Sequence, residues 1–172
     1  MVIHRNMTFQ LAESSATSKS ALYDQLASQL SSLLAGERDL IANAANFSAL
    51  IFHSLPDLNW AGFYFAKDGE LVLGPFQGKP ACVRIRIGQG VCGTAAAKCA
   101  TTIVPNVHEF PGHIACDSAS NSEIVVPLIK NDESIGVLDL DSPSPARFDE
   151  EDAAGLEELV RILLASTIRN DN

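Results

Sequence analysis

Positive charge is scarce in this sequence: 12 Lys and Arg stand against 21 Asp and Glu, for a net charge of -9 at pH 7. A nucleic-acid surface neutralises phosphates with clustered Lys and Arg, and without such a cluster nucleic acid is excluded as an expected partner. Long apolar runs are missing as well. None reaches the roughly 18 residues needed to cross a bilayer, and the first residues lack an apolar signal core followed by a small-residue cleavage site. The expectation is a cytoplasmic protein without membrane contact. The four cysteines never fall in C-x-x-C spacing, which argues against a structural zinc site even with His108 and His113 near Cys116 in the chain; no metal is expected. Two structural disulfides are not expected either, because the cytosol keeps thiols reduced and a chain of this size does not need staples. No internal repeat is present.

What remains is ordinary globular material. With 172 residues, 47% hydrophobic and 19% charged, the chain suits one domain with a genuine core. Residues 1-17 carry no periodicity and read as a flexible N-terminal arm ahead of a single domain over 18-172. Leu22, Leu26, Leu30, Leu33 and Leu34 recur at helical spacing up to Gly36, and Leu40, Ile41, Ala44, Phe47, Leu50 and Ile51 make a second helix within 37-55 that ends before Pro56. Asn59 to Ala66 and Leu71 to Phe76 read as a hairpin about Lys67-Asp68-Gly69-Glu70. Cys82 to Ile87 alternates Val83, Ile85 and Ile87 against a solvated face of Arg84 and Arg86. A short helix over 91-100, a small strand over 101-104, a hairpin of strands 123-130 and 134-142 about residues 131-133, and a helix over 149-169 capped by Asp149 complete the order. The fold class is α/β (α+β), an antiparallel β-sheet with helices packed on it.

Chemistry concentrates in the long loop from Pro105 to Ser122. Cys116 sits there among Gly112, His113, Asp117, Ser118 and Ser120, a polar setting that suits a reactive thiol better than a packed one. His113 receives no proton-transfer role, since a loop histidine is more often simply hydrogen-bonded. Cys82 begins a strand beside Pro80, and Cys92 lies near a helix N-terminus, where the dipole favours a thiolate. Cys99, in the alanine-rich helix, reads as a small core residue. Thiol redox chemistry is the expectation.

Asp139 and Asp141, two apart on a strand, share a face about 7 Å apart, because Leu138 and Leu140 occupy the other. Carboxylates within an apolar strand are costly unless they meet cations, donors or a ligand; the plain alternative is a strand end emerging into solvent. Glu123, on the antiparallel neighbour, can join them. Such a cluster raises the proton affinity of at least one member and attracts an ammonium group, which suits a small cationic or zwitterionic ligand. Trp60 and Tyr64 share a face across Gly62, either enclosing a small apolar group over the glycine or simply packing as core aromatics.

Five blocks, Gly74-Pro-Phe-Gln-Gly-Lys-Pro-Ala-Cys82, Gly88-Gln-Gly-Val-Cys92-Gly93, Phe110-Pro-Gly-His-Ile-Ala-Cys116-Asp117, Ser122-Glu-Ile-Val-Val-Pro-Leu128 and Gly136-Val-Leu-Asp-Leu-Asp-Ser-Pro143, resemble the free methionine-(R)-sulfoxide reductases, small stand-alone GAF-domain enzymes. The similarity runs over residues 20-165, and the joint occurrence of three cysteine blocks is what makes it specific, since a GAF fold alone mostly binds ligands for regulation. The resemblance implies a GAF-like fold and reduction of free L-methionine-(R)-sulfoxide to L-methionine. It implies that Cys116 attacks, that Cys82 resolves and that Cys92 is the third family cysteine. By the same resemblance Glu123, Asp139, Asp141, Trp60 and Tyr64 bind substrate, thioredoxin or a similar thiol is the external reductant, no cofactor is bound, and the assembly is a homodimer. Asn106 departs from the family pattern, where an aspartate is expected, which bears on an outer contact only. The alternatives are a non-catalytic GAF module that binds a small metabolite or senses redox state, and a peroxide-sensing thiol protein.

Overall fold

The computed structural model describes residues 16–112 and 117–167. Most of the expected arm, the thiol of Cys116, its neighbour His113 and the expected last residues of the closing helix therefore lie outside the described residues.

Helix α1 (Lys19–Leu33) starts where the Ser18 hydroxyl accepts from the Ala21 amide, as an N-cap should. Helix α2 (Leu40–Ser54) starts at the first residue of its apolar pattern, three residues inside the expected 37-55 range. The Glu37 carboxylate accepts from the Arg38 and Asp39 amides at 2.7 and 2.8 Å, and Asp39 caps Ala42 at 2.8 Å. Side chains thus take the backbone donors that another helical turn would have used.

Strands β1 (Trp60–Lys67) and β2 (Glu70–Gly78) form the first hairpin. Its turn residues Asp68 and Gly69 have φ of 53° and 81°, the positive pair of a two-residue hairpin turn. Strand β3 (Arg84–Arg86) is shorter than its alternation predicts: Ile85 is buried, but Val83 and Ile87 are 65% and 40% exposed. It is an edge strand paired with β2 over three positions only. Helix α3 (Gly90–Lys98) ends at Cys99, whose φ of 50° is left-handed and whose side chain is exposed, so the expected small core residue is a helix C-terminus instead. After β4 (Thr102–Val104) and a 3-10 turn (Val107–Glu109), β5 (Ser122–Lys130) and β6 (Glu133–Ser142) form the second hairpin. Helix α4 (Glu150–Thr167) closes the order.

The six strands make one antiparallel sheet in the order β3-β2-β1-β6-β5-β4. Strand alternation divides its residues between two cores. On one face Phe63, Ile124, Val126, Leu128, Leu138 and Leu140 pack against α1, α2 and α4. On the other, Trp60, Tyr64, Leu71, Ile85, Val125 and Val137 meet the small helix α3. Three helices cover the first face and one short helix the second, and that difference leaves room for a cavity beside α3.

The thicker layer is held by a buried carboxylate. Asp152 accepts from Tyr23 Oη at 2.9 Å, Lys19 Nζ at 2.7 Å and Arg147, while exchanging backbone hydrogen bonds with Asp149 in a capping box. Three residues after Asp152, Gly155 lies under the Tyr23 ring: an added Cβ would stand 2.2 Å from Tyr23 Cγ. The missing side chain is what lets α4 approach α1.

Candidate active site

Register decides which polar groups meet. Glu123 pairs directly with Asp141 across β5 and β6, Trp60 pairs with Asp141 across β1 and β6, and Asp139 lies between Val125 and Gly62. Glu123, Asp139 and Asp141 thus converge on the α3 face, as the period-two pattern predicts: Glu123 and Asp139 are each 6% exposed, while Asp141, nearest the strand end, is half-buried. From α3, Cys92 places its Sγ 3.9 Å from Glu123 Oε1. The Cys92 sulfur and one oxygen each of Glu123 and Asp139 lie within 4.8 Å of one another. That spacing could also hold a metal ion, whose binding would first have to displace the protons discussed below.

The cavity above this floor is lined by Trp60, Tyr64, the segment Lys79, Pro80 and Ala81, Ile85, the start of α3 through Cys92, Asp117, Ser120 and the three carboxyl groups. Burial pushes all three acids upward. For Glu123 the nearby Asp139 and Asp141 charges add to burial, and for Asp139 the Asp141 charge does; both end well above the usual carboxylate range. Burial carries Asp141 to about 7, against the opposing hydrogen bond from Ser120. At neutral pH this floor is therefore largely carboxylic acid, able to donate protons. Of the three, Asp141 is the member closest to ionising at neutral pH, so the ammonium attraction expected of the cluster falls to it first. Asp139 Oδ1 is buried without a hydrogen-bond partner among the described residues, the condition a polar ligand atom would relieve.

Cys92 shows the same physics. Its position in the first turn of α3 predicts a favoured thiolate, yet burial, with the charges of Asp139 and Glu123, pushes its thiol well above the ordinary value. A dipole effect confined to one helical turn does not offset loss of solvent beside acids. Cys82 is disulfide-bonded, while Cys92 and Cys99 are free thiols. The Cys116 position is the remaining predicted member of the site and is not among the described residues.

Of the two readings of the aromatic pair, the packed one is what the structure shows. Trp60 stacks on Tyr64 at 5.9 Å and on Phe76 at 5.3 Å. A Cβ on Gly62 would stand 2.3 Å from Phe76 Cβ and 2.7 Å from the Trp60 ring. The space over the glycine is filled by Trp60 and Phe76, so the rings form one wall of the cavity and enclose nothing between them. Trp60 Nε1 donates to the Lys79 carbonyl at 3.1 Å, which fixes the indole and the following loop together.

Four polar residues at or beside the cavity were given no substrate-binding role by the sequence: Asp117, Lys79 and Ser120 line it, and Asn59 supports them. Asp117 accepts from the Ala119 amide at 2.9 Å and from Asn59 Nδ2 at 3.3 Å, and pairs with Lys79 at 3.2 Å. Asn59 Nδ2 also donates to Ser120 Oγ at 3.0 Å. The backbone hydrogen bond to Ala119, with Lys79 and Asn59, lowers the Asp117 pKa. Asp117 and Ser120 follow the flagged cysteine in sequence and Lys79 lies in the block that ends at Cys82, but Asn59 carries no motif of its own; only the fold brings them across. Asn106 instead caps the 3-10 turn through His108 N and donates to Glu109, away from the cavity wall.

Among the described residues no helix is long and apolar enough to cross a membrane. The GAF-domain family matches residues 19–166. The free methionine-R-sulfoxide reductase of Escherichia coli is 54% identical over 142 residues, covering 83% of this chain and 86% of that one. The enzyme of the same name from Saccharomyces cerevisiae is 44% identical over 163 residues, covering 90% and 91%. The free methionine-R-sulfoxide reductase of Neisseria meningitidis, solved with its substrate, superposes with a TM-score of 0.88 at 47% identity and covers 92% of this chain and 95% of that one. On these similarities, which run over most of its length, the chain belongs to the GAF-domain family of free methionine-R-sulfoxide reductases, and is an oxidoreductase.

Proposed function

We propose that this protein reduces free L-methionine-(R)-sulfoxide to L-methionine, with Cys116 as the attacking thiol and Cys82 as the resolving one. The observation that carries the reading is the trio of carboxyl groups, the buried Glu123 and Asp139 and the half-buried Asp141, all displaced toward the protonated form beneath the Trp60 and Tyr64 wall. A sulfoxide oxygen leaves poorly until a proton or strong donor reaches it, and a buried carboxylic acid supplies one at neutral pH. The rings of Trp60 and Tyr64 would bound the methyl end of the substrate.

In the proposed reaction the Cys116 sulfur attacks the sulfoxide sulfur and supplies two electrons. The sulfur–oxygen bond of the substrate breaks, methionine leaves, and the oxygen stays on Cys116 as a sulfenic acid. The Cys82 thiol displaces that oxygen as water and forms a disulfide, which thioredoxin or a similar dithiol reduces by exchange. The disulfide at Cys82, with Cys92 and Cys99 reduced, supports Cys82 as the resolving thiol. Cys92, buried against protonated acids, fits a later relay better than attack. No bound cofactor is required, and a homodimer in the cytoplasm is the proposed working form.

Thioredoxin-coupled turnover of the free R sulfoxide tests the reading. Wild-type protein should turn over, Cys116→Ser should not, and Cys82→Ser should stall after a single turnover. Tight binding of a metabolite without thiol-dependent reduction would instead identify a sensing module.

A further inference from the structure

The deepest part of the cavity gathers a sulfur and two carboxyl groups from three different elements. Cys92 comes from the first turn of α3, Glu123 from β5 and Asp139 from β6. One ligating atom from each lies within 4.8 Å of the others, and all three residues are buried. Asp139 Oδ1 has no hydrogen-bond partner among the described residues, although its residue is only 6% exposed. A thiol offers one weak donor, and Lys79, the one cationic side chain among the described residues lining the cavity, is paired with Asp117 instead. The fold fixes all three positions. Glu123 and Asp139 are set by the register of adjacent strands. Cys92 is set by its neighbour Gly93, where an added Cβ would stand 2.3 Å from the Arg86 carbonyl oxygen, so the bare glycine lets α3 settle onto β3 and carries the sulfur down to the acids.

We propose that Cys92, Glu123 and Asp139 form a binding site for a zinc-like divalent ion, with the fourth coordination position open to the cavity. Ligand distances of about 2.3 Å to sulfur and about 2.0 Å to oxygen put those two atoms about 3.5 Å apart around a tetrahedral ion. Cys92 Sγ stands 3.9 Å from Glu123 Oε1, so a small contraction completes the geometry. One sulfur with two oxygens suits a borderline ion, whereas magnesium and calcium take oxygen alone. A structural zinc centre is closed by four protein ligands; three ligands and an open position make a different kind of site, to which cysteine spacing along the chain is no guide. The ion exchanges for the protons these groups carry and brings a positive charge to lone pairs that the described residues leave without a cation. Its consequence for turnover rests on the sulfoxide reductase reading. An ion held there takes the oxygens that would face the sulfoxide and fills the space above them, so zinc should inhibit, and a chelator should restore activity.

Cobalt(II) titration tests the site, because a cobalt–thiolate bond gives a charge-transfer absorption that carboxylates do not. The protein is taken in the form with Cys82 disulfide-bonded, which keeps that sulfur from coordinating. Wild type should bind one ion with the thiolate band, zinc should displace it and magnesium should not. Cys92→Ser should abolish the band, and Cys99→Ser, which alters the exposed free thiol, should keep it. Glu123→Gln and Asp139→Asn should each weaken binding by roughly a hundredfold or more, since loss of even an outer partner of a ligand costs about 10- to 100-fold. X-ray absorption of zinc-loaded wild type gives a reading that depends on no variant's folding: one sulfur at about 2.3 Å and oxygens at about 2.0 Å. A shell without sulfur, or a band that survives Cys92→Ser, would overturn the site. With the site occupied, thioredoxin-coupled turnover at the full rate would overturn the proposed inhibition. Absence of turnover in metal-free wild type would instead overturn the reductase reading and leave the ion site standing.

Discussion

Asp141 is the residue whose chemistry is closest to working pH. Its value of about 7 comes first from burial, so it loses its proton near neutral pH. If the protonated floor drives the reaction, kcat/KM for the free sulfoxide should fall as pH rises through about 7. Asp141→Asn should lower activity and remove that inflection, whereas an unchanged inflection would assign it to Glu123 or Asp139. At the same scale, the surroundings of Cys92 override its position in the chain: the helix start favours a thiolate, and two buried acids and loss of water disfavour it more strongly.

Among the elements, the contact between α1 and α4 depends on an absent side chain. With 2.2 Å between a Cβ at Gly155 and Tyr23 Cγ, Gly155→Ala must move Tyr23, whose hydroxyl donates to the fully buried Asp152. Overpacking of this kind costs about 1–3 kcal/mol, more than the helix-propensity gain of about 1 kcal/mol from replacing glycine. Chemical denaturation should show the variant less stable than wild type, and a stabilised variant would mean that the two helices separate freely. Because α1 and α4 cover the sheet face opposite the cavity, affinity for the substrate should change little. Element boundaries were legible in the sequence where apolar period and caps agree, as at Ser18 and Asp149. They failed at α2, where Glu37 and Asp39 capture the backbone amides, and at β3, where an edge position leaves Val83 and Ile87 exposed.

Across the whole molecule the carboxyl groups fall into two sets with opposite effects on stability. The folded protein holds Glu123, Asp139 and Asp141 protonated at pH values where the unfolded chain releases those protons. Because the folded state binds more protons in this window, raising the pH from about 4 to about 7 removes stability, by up to about 1.4 kcal/mol per unit for one fully titrating group. Asp117 and Asp149, with lowered values, act in the reverse sense: their contribution is present at higher pH and is lost on acidification below the ordinary carboxylate range. The melting temperature should therefore decline between about pH 5 and pH 7, and Asp141→Asn should flatten that decline. A profile flat in both proteins would contradict the buried, protonated floor.

The sequence by itself determined the hairpins, the amphipathic helices and the sharing of one sheet face by Glu123, Asp139 and Asp141, because alternation and turn residues act over a few positions of chain. Its cysteine blocks also carried the family. Tertiary structure alone decided the ionisation of the floor, the filling of the space over Gly62 by Phe76, and the meeting of Lys79 with Asp117. The physical reason is common to all three. Loss of solvent and the approach of groups distant in the chain set the proton affinity and the free space around a side chain, and neither is a property of the residues that adjoin it in sequence.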